Sequence, residues 1–280
     1  VRVSASAETV PILRIEDLSH RYAPGAEFAV QGVSLTVQAG EFVAIVGPSG
    51  CGKSTTLSAA AGLVSGYRGT IRVRGDVLTG PHPDIGVVFQ EDATFPWRNA
   101  RRNVEFGLQT RGVRRSERRR RALAILDLMG LADYAGHYPA QLSGGMKQRV
   151  AIARTLVTEP SLLLMDEPFG ALDELTRMSL GEELLRLQQQ IGQTVLFVTH
   201  NIQEAVLLAD RVVVMGTRPG RVVEVIDIEF PRPRDADLFG SPAFSALTAY
   251  VWRHIRDEVV RDRTSSADGR SRETNACLAR

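Results

Sequence analysis

Residues 42–55 read Phe42-Val43-Ala44-Ile45-Val46-Gly47-Pro48-Ser49-Gly50-Cys51-Gly52-Lys53-Ser54-Thr55, and their order decides the fold. The apolar run over 42–46 is too short for a helix and too continuous for a strand with one wet face, so it predicts a strand buried on both sides. The turn that follows has the spacing G-x-x-x-x-G-K-S, a phosphate-binding loop that takes in Gly47, Pro48, Ser49, Gly50, Cys51, Gly52, Lys53, Ser54 and Thr55. Its glycines let successive backbone N–H groups turn toward one phosphate cluster, Lys53 reaches the β and γ phosphates, and the Ser54 hydroxyl ligates magnesium. A helix expected over 54–63 adds the positive end of its dipole. Cys51 needs no redox role there, because its backbone amide suffices. Strand, glycine loop and helix in that order open an α/β unit.

Working outward, residues 12–18 and the alternation of Val33, Leu35 and Val37 with polar neighbours predict strands before the loop, and residues 70–76 and 86–89 predict strands after it. Past Gln90 the apolar spacing turns helical: Leu123, Ile125, Leu126 and Met129 mark a helix that Gly130 ends, and another runs from about 145 to 157. Buried-strand runs at 162–165 and 195–198 bracket a helix over 174–190 and return the chain to the parallel sheet. Segments 211–215 and 221–228 flank the Pro219-Gly220 turn as a hairpin. Pro231 and Pro233 then break the chain, and from Pro242 a helix carries Phe244, Leu247, Val251, Ile255 and Val259 on one stripe. Disorder is expected over 263–280, where the sequence is polar and mixed in charge.

Composition agrees with a folded domain of this kind. The chain has 280 residues, 44% apolar and 24% charged, which is near the soluble average. Neither an apolar run long enough to span a membrane nor a secretory leader is present, so a cytosolic setting is expected. Two cysteines, Cys51 and Cys277, are too few for a disulfide framework. A net charge of +2 implies no nucleic-acid partner. Between Arg111 and Arg121, seven arginines stand against one glutamate. No aromatics interleave for base stacking, so the run reads as a solvated helix face, with contact to lipid headgroups as the other reading.

Two further stretches carry chemistry. Leu162-Leu163-Leu164-Met165-Asp166-Glu167 delivers two carboxylates at the end of a buried strand, a costly placement unless they have partners. Beside a magnesium triphosphate, Asp166 would hold the metal shell and Glu167 would orient and polarise the attacking water. Leu142-Ser143-Gly144-Gly145-Met146-Lys147-Gln148-Arg149 opens a helix, so Ser143 and the amides of Gly144 and Gly145 offer a second anion site, although one nucleotide needs only one cradle.

With these three stretches in hand, the sequence over about 12–228 resembles the ATP-binding cassette family, whose signature motif is LSGGQ and its LSGGM-K-Q-R relatives. The resemblance implies a RecA-like P-loop NTPase core with an antiparallel β portion and an inserted helical subdomain. It implies a cassette over 11–230 with the insert at about 91–158, followed by a helical extension over 231–262. It also implies two cassettes paired head to tail, the signature serine and glycines of one completing the γ-phosphate site of the other. By the same match Tyr22 stacks on adenine, unless it is a plain surface aromatic. Gln90 is the Q-loop glutamine that reaches magnesium and the water, Asp173 is the D-loop aspartate that crosses the dimer interface, and His200 is the switch histidine on the γ phosphate. ATP and Mg2+ are the implied cofactors.

Phe95-Pro96-Trp97, then Asn103-Val104, and Gly216-Thr217-Arg218-Pro219-Gly220 resemble the importer branch for nitrate, sulfonate, taurine and bicarbonate. That resemblance implies a homodimer beneath two membrane-spanning permease subunits, peripheral on the cytoplasmic face of the bacterial inner membrane, with an extracytoplasmic binding protein selecting a small oxyanion. Arg98, Arg101 and Arg102 make the stretch after Gln90 more basic than the branch pattern. An exporter or lipid-transport cassette, and a soluble cassette ATPase of DNA repair or translation, are the rival readings.

Overall fold

The computed structural model describes residues 10–91 and 93–278. Its first strands are β1 (Leu13–His20), β2 (Val30–Val37) and β3 (Phe42–Val46), followed by α1 (Lys53–Ala60), β4 (Arg68–Val73), β5 (Asp76–Val77) and β6 (Ile85–Val88). Next come α2 (Ala100–Thr110), α3 (Arg115–Leu128) and α4 (Gly144–Leu156). The chain then runs through β7 (Leu162–Asp166), α5 (Glu174–Ile191), β8 (Thr194–Val198), α6 (Ile202–Leu208), β9 (Arg211–Gly216), β10 (Arg221–Asp227) and α7 (Pro242–Leu278). Two sheets form: an antiparallel one in the order β2-β1-β4-β5, and a six-stranded one in the order β10-β9-β3-β8-β7-β6. In the second sheet β6, β7, β8, β3 and β9 pair in parallel, and only the β9–β10 hairpin is antiparallel.

The run over 42–46 is buried on both faces, as its composition demands. Phe42, Ala44 and Val46 point into one core, shared with Leu163, Met165, Phe197 and the helices α2 to α7. Val43 and Ile45 point into the other, shared with Leu164, Leu196, Leu57 of α1 and the antiparallel sheet. This period-two alternation makes the sheet the middle layer of the molecule. Because β3, β6, β7 and β8 are parallel, their C-terminal ends share one edge, and that edge receives the phosphate loop, Gln90, Asp166-Glu167 and Thr199-His200. Open α/β sheets bind ligands at such an edge.

Two expectations need correction. The expected strand over 70–76 divides into β4 and β5, because Gly75 adopts φ +92° and turns the chain. The C-terminal segment expected to be disordered from 263 continues as helix to Leu278, while 279–280 lie outside the described residues. The segment is rich in Ser and Thr around Gly269, so neither hydrophobic periodicity nor helix propensity predicts this extension of the helix. Before that point α7 is anchored. Phe244 and Val251 are buried, and the buried carboxylate of Glu258 bonds to Arg221 of β10 at 2.7 Å, tying the helix to the hairpin.

Candidate functional site

The phosphate loop leaves β3 and enters α1 through Gly52, which has φ +87°. A Cβ at Gly52 would collide with Val30, and one at Gly220 would collide with the carbonyl oxygen of Cys51. The β9–β10 turn thus packs directly under the loop, with Gln31 N donating to Gly220 O at 2.8 Å. Lys53 is only 7% exposed, and its ammonium donates to the carbonyls of Gly47 at 2.9 Å and Pro48 at 3.1 Å. Those bonds hold the cation on the inner curve of the loop. Cys51 is buried, and desolvation raises its thiol pKa even though Lys53 opposes the shift, so the thiol is an inert packing group.

A cleft of about 360 Å³ opens beside the loop, lined by Tyr22, Ser49, Gly50, Gly52, Lys53, Ser54, Thr55 and Glu167. Tyr22 is 70% exposed, and its hydroxyl lies 2.9 Å from Thr55 Oγ1, so the aromatic ring is brought to the mouth of the cleft. The Ser54 hydroxyl donates to Asp166 Oδ1 at 3.1 Å. Burial pushes the Asp166 carboxyl above the usual aspartate range; the Ser54 bond and Lys53 oppose that shift, and neighbouring Glu167 adds to it. Two hard oxygens side by side suit a magnesium ion, which takes few protein ligands and keeps phosphate oxygens and water for the rest. Among the described residues no cluster of three or more His, Cys, Asp or Glu side chains forms a protein-only metal cage.

Strand register brings the catalytic candidates together. Asp166 pairs with Val198 across β7 and β8, and Glu167 N donates to Val198 O at 2.9 Å. The residue two beyond Val198 is His200, whose Nδ1 lies 2.8 Å from Glu167 Oε2. Glu167 itself holds φ +44°, a left-handed conformation that costs a non-glycine residue roughly 1–3 kcal/mol. Strain of that size persists where the side chain has to project from one particular point. A Cβ at Gly170 would sit 3.5 Å from Gln90 Nε2 and 3.8 Å from Glu167 Oε2, so Gln90 and Glu167 converge on the same glycine.

Four expected site residues lie elsewhere. Ser143 caps α4 by accepting from Met146 N at 3.3 Å, and the exposed Gly144 stands beside Leu172. Gly145 packs against Thr176 of α5, 2.7 Å from where its Cβ would be. Asp173 caps α5 by accepting from Thr176 N at 3.0 Å, and those bonds hold its carboxyl below the usual range. Ser143, Gly144 and Asp173 form one exposed patch at the starts of α4 and α5 with Gly145 buried beneath it, and none of the four lines the cleft. Two supports of the site escape sequence reasoning: Gly220 under the phosphate loop, and Glu204 behind the His200 turn, whose carboxylate accepts from Thr199 Oγ1 at 2.6 Å. For Gly220 the signal exists in the Pro-Gly turn, but a turn says nothing of what it packs against.

The stretch after Gln90 forms a second feature. Buried Asn103 bonds Phe95 at both N and O, at 2.8 and 3.2 Å, and Arg98 O at 2.8 Å, which fixes the turn that carries Trp97, 69% exposed. Arg98 stacks on Phe95 and Phe106, and Arg101 pairs with Glu105, so two of the three extra arginines are spent inside the subdomain. The arginine run is likewise partly committed: Arg111 donates to Pro83 O and Thr158 O, Arg120 pairs with Glu117, and Arg121 pairs with Glu159. A groove of about 390 Å³ beside Arg120 and Arg121 lies at the N-terminal ends of β7 and β8, the edge of the sheet opposite the phosphate loop. No helix among the described residues is long and apolar enough to cross a membrane.

Comparison with known proteins agrees with this arrangement. Residues 30–170 match the family model described as ABC transporter. A putative ATP-binding protein of Brucella abortus (strain 2308) is 45% identical over 259 residues, 92% of this chain and 99% of that protein. The taurine import ATP-binding protein TauB of Escherichia coli (strain K12) is 41% identical over 247 residues, 86% of this chain and 97% of that protein. Among solved structures, the ATP-binding cassette MJ0796, a dimer in a post-hydrolysis state bound to ADP and Pi, superposes with a TM-score of 0.68 at 32% identity, covering 78% of this chain and all of that one. Clostridium perfringens cbiO1, part of the ABC transporter complex cbiONQ, gives 0.72 at 30% identity, over 78% of this chain and 89% of that one. With a phosphate loop, paired strand-end carboxylates and a signature-type helix start on a P-loop NTPase fold, the chain belongs to the ABC transporter family, as an ATP-binding subunit whose ATP hydrolysis is coupled to transport.

Proposed function

We propose that the chain powers an importer of a small oxyanion, a sulfonate such as taurine before nitrate, and works as a homodimer on the cytoplasmic face of the inner membrane. The cassette would span 11–230, with 91–158 as its helical subdomain. Two permease subunits would sit on the Trp97 turn, and an extracytoplasmic binding protein would choose the cargo. The 41% identity to a taurine import ATP-binding protein supports the sulfonate reading.

One observation carries the catalytic reading: the 2.8 Å contact between Glu167 and His200 at the ends of neighbouring strands, beside Lys53 and Ser54. In this reading Tyr22 stacks on the adenine, and the amides of the phosphate loop with Lys53 hold the β and γ phosphates. Ser54, Asp166 and Gln90 would hold Mg2+, which supplies charge neutralisation on the phosphates when bound. Glu167 orients the attacking water and polarises it, and His200 fixes the carboxylate and presents its ring to the γ phosphate. Ser143, Gly144 and Gly145 of the partner subunit would close the site from the other side, with Asp173 at the seam. The exposed Leu175 near Asp173, 80% accessible in the single chain, supports that pairing, since a bare leucine beside a capping aspartate suits a contact surface.

Deleting the gene tests the cargo. Growth on taurine or alkanesulfonates as sole sulfur source is lost while growth on sulfate continues; intact growth on every sulfonate, with lost uptake of nitrate or a heterocycle, overturns the sulfonate reading and leaves the ATPase standing.

A further inference from the structure

One half-buried connection joins the exposed patch to the catalytic turn. Arg177, one turn into α5, extends its guanidinium in three directions. Its Nη2 donates to Leu172 O at 2.9 Å, its Nη1 donates to Glu174 Oε2 at 3.1 Å, and its Nε lies 3.4 Å from Glu204 Oε1. Leu172 precedes Asp173, and its Cδ2 lies 3.5 Å from where a Cβ on Gly144 would be. On the other side, Glu204 Oε2 accepts from Thr199 Oγ1 at 2.6 Å, and the same hydroxyl accepts from Asn201 N at 3.0 Å. His200 is therefore the middle residue of a turn clasped on both flanks by one hydroxyl, and that hydroxyl answers to Glu204.

The weakest link of this path is identifiable. Arg177 Nε is buried and has no hydrogen-bond acceptor, only the nearby carboxylate charge of Glu204. A buried donor left without an acceptor is costly, so a small movement that shortens the contact is favourable. The links on either side of it, Arg177 to Leu172 O and Glu204 to Thr199, are formed hydrogen bonds. Glu204 also sits in an environment that disfavours its charge: desolvation raises its pKa, with the Thr199 bond, Arg177 and His200 opposing and Glu174 adding to the rise. A chain that needed only packing at this point would fill it with apolar residues of similar volume at no loss of stability.

The geometry points to Arg177 and Glu204 as positioning residues that relay the setting of the Leu172-Asp173 loop to His200. Nucleotide capture at the partner's site, which presses on Gly144 and Asp173, thereby adjusts the switch histidine of the chain's own site. This relay rests on the paired-site reading above. It gives the two ATP sites of a dimer a mechanical route to each other that runs within one chain, from helix start to helix start, without passing through either nucleotide.

The test uses the full chain and three variants, Arg177→Met, Glu204→Gln and the double substitution, with Arg177→Lys as the conservative control. Glutamine retains an oxygen for Thr199 and loses the charge facing Arg177, so the two single variants sever the same link. Each is expected to lower kcat roughly tenfold at unchanged KM for ATP, and to reduce the Hill coefficient from about 2 toward 1. The double variant loses no more than the worse single one, because residues acting in series are not additive. Arg177→Lys restores part of kcat. Thermal melting of the five proteins separates positioning from folding, since a purely structural ion pair would move the melting temperature and leave the split between kcat and KM intact. Light scattering with ATP, in a Glu167→Gln background, reports pairing. If the parent fails to pair, the paired-site reading falls and takes the relay with it. If parent and variants pair alike and the variants keep kcat within twofold with the Hill coefficient unchanged, or if the losses add, the relay alone is overturned.

Discussion

The cleft at the phosphate loop and the patch at the starts of α4 and α5 both use helix N-termini, but they differ in what their polar groups are doing. In the cleft, side chains from separate elements reach one another: Tyr22 meets Thr55, Ser54 meets Asp166, and His200 meets Glu167. In the patch, Ser143 and Asp173 bond only to amides of their own helices, and Leu175 stands bare. A capped helix start that is exposed and lacks a wall opposite it has the makings of half a site. In the proposed pairing, the cleft holds the machinery for one triphosphate, and the patch would be the lid for the site of a second chain.

The largest effect expected on this comparison is at Glu167. Glu167→Gln is nearly isosteric and can still face His200, but an amide cannot polarise water as a carboxylate does. Turnover should fall roughly 10²- to 10³-fold, within the range for loss of a general base, while ATP binding persists. Steady-state hydrolysis with a filter-binding assay for ATP checks both halves. Hydrolysis near the parent rate would remove the 2.8 Å carboxylate–imidazole pair from catalysis and leave the cleft a binding site only.

Lys53→Ala sharpens the contrast from the binding side. Removing the ammonium deletes charge-assisted bonds to the phosphates, each worth about 1.5–3 kcal/mol, so nucleotide affinity should drop roughly 10- to 100-fold. Equilibrium binding of ATP measures it. A matching substitution in the patch, Ser143→Arg, should leave nucleotide binding to the single chain unchanged, because Ser143 does not line the cleft.

Much of the cleft is legible in the amino-acid sequence, and the reason is locality. The phosphate loop, Asp166-Glu167 and Thr199-His200 each lie at the end of a strand that is continuous in sequence, and parallel pairing alone brings those ends to one edge. The supports of the site are not legible in that way. Gly220 under the loop, Asn103 clasping Phe95, and Arg177 beside Glu204 depend on how distant segments close on each other, which no local pattern encodes. The polar end of α7 is illegible for a different reason: without an apolar stripe, periodicity is silent, and only weak propensity remains.

If the patch is a lid in trans, inactive chains of two kinds should repair each other. A dimer mixed from Lys53→Ala and Ser143→Arg chains carries one site lacking both groups and one intact site. Random pairing makes half of the dimers mixed, so occluded ATP should return to about a quarter of the parent level, at one nucleotide per mixed dimer. Measuring occlusion in the presence of vanadate, rather than turnover, keeps the result independent of any coupling between the two hydrolysis steps. No recovered occlusion at equimolar mixing would overturn the placement of Ser143 across the dimer from Lys53.

The smallest effect concerns Asp166, where stability and function should respond to charge with opposite signs. Its carboxyl pKa is raised, chiefly by desolvation, so the folded protein holds that proton more tightly than the unfolded chain does. By linkage, the neutral acid favours folding, and this contribution is present at pH below the ordinary aspartate range and lost as pH rises through the raised value. Magnesium requires the ionised form. Metal-dependent ATP binding should therefore fade on acidification at a higher pH than an exposed aspartate would dictate, over the window between the ordinary and the raised pKa. Asp166→Asn makes the neutral state permanent: it should give a small rise in melting temperature at neutral pH while weakening the dependence of ATP binding on Mg2+. Melting curves and binding titrations with and without Mg2+, run from pH 7 downward, read the two signs separately. A variant that melts lower at pH 7 would show that the Ser54–Asp166 bond outweighs desolvation, and one that keeps the full Mg2+ dependence would move the metal away from this pair of oxygens.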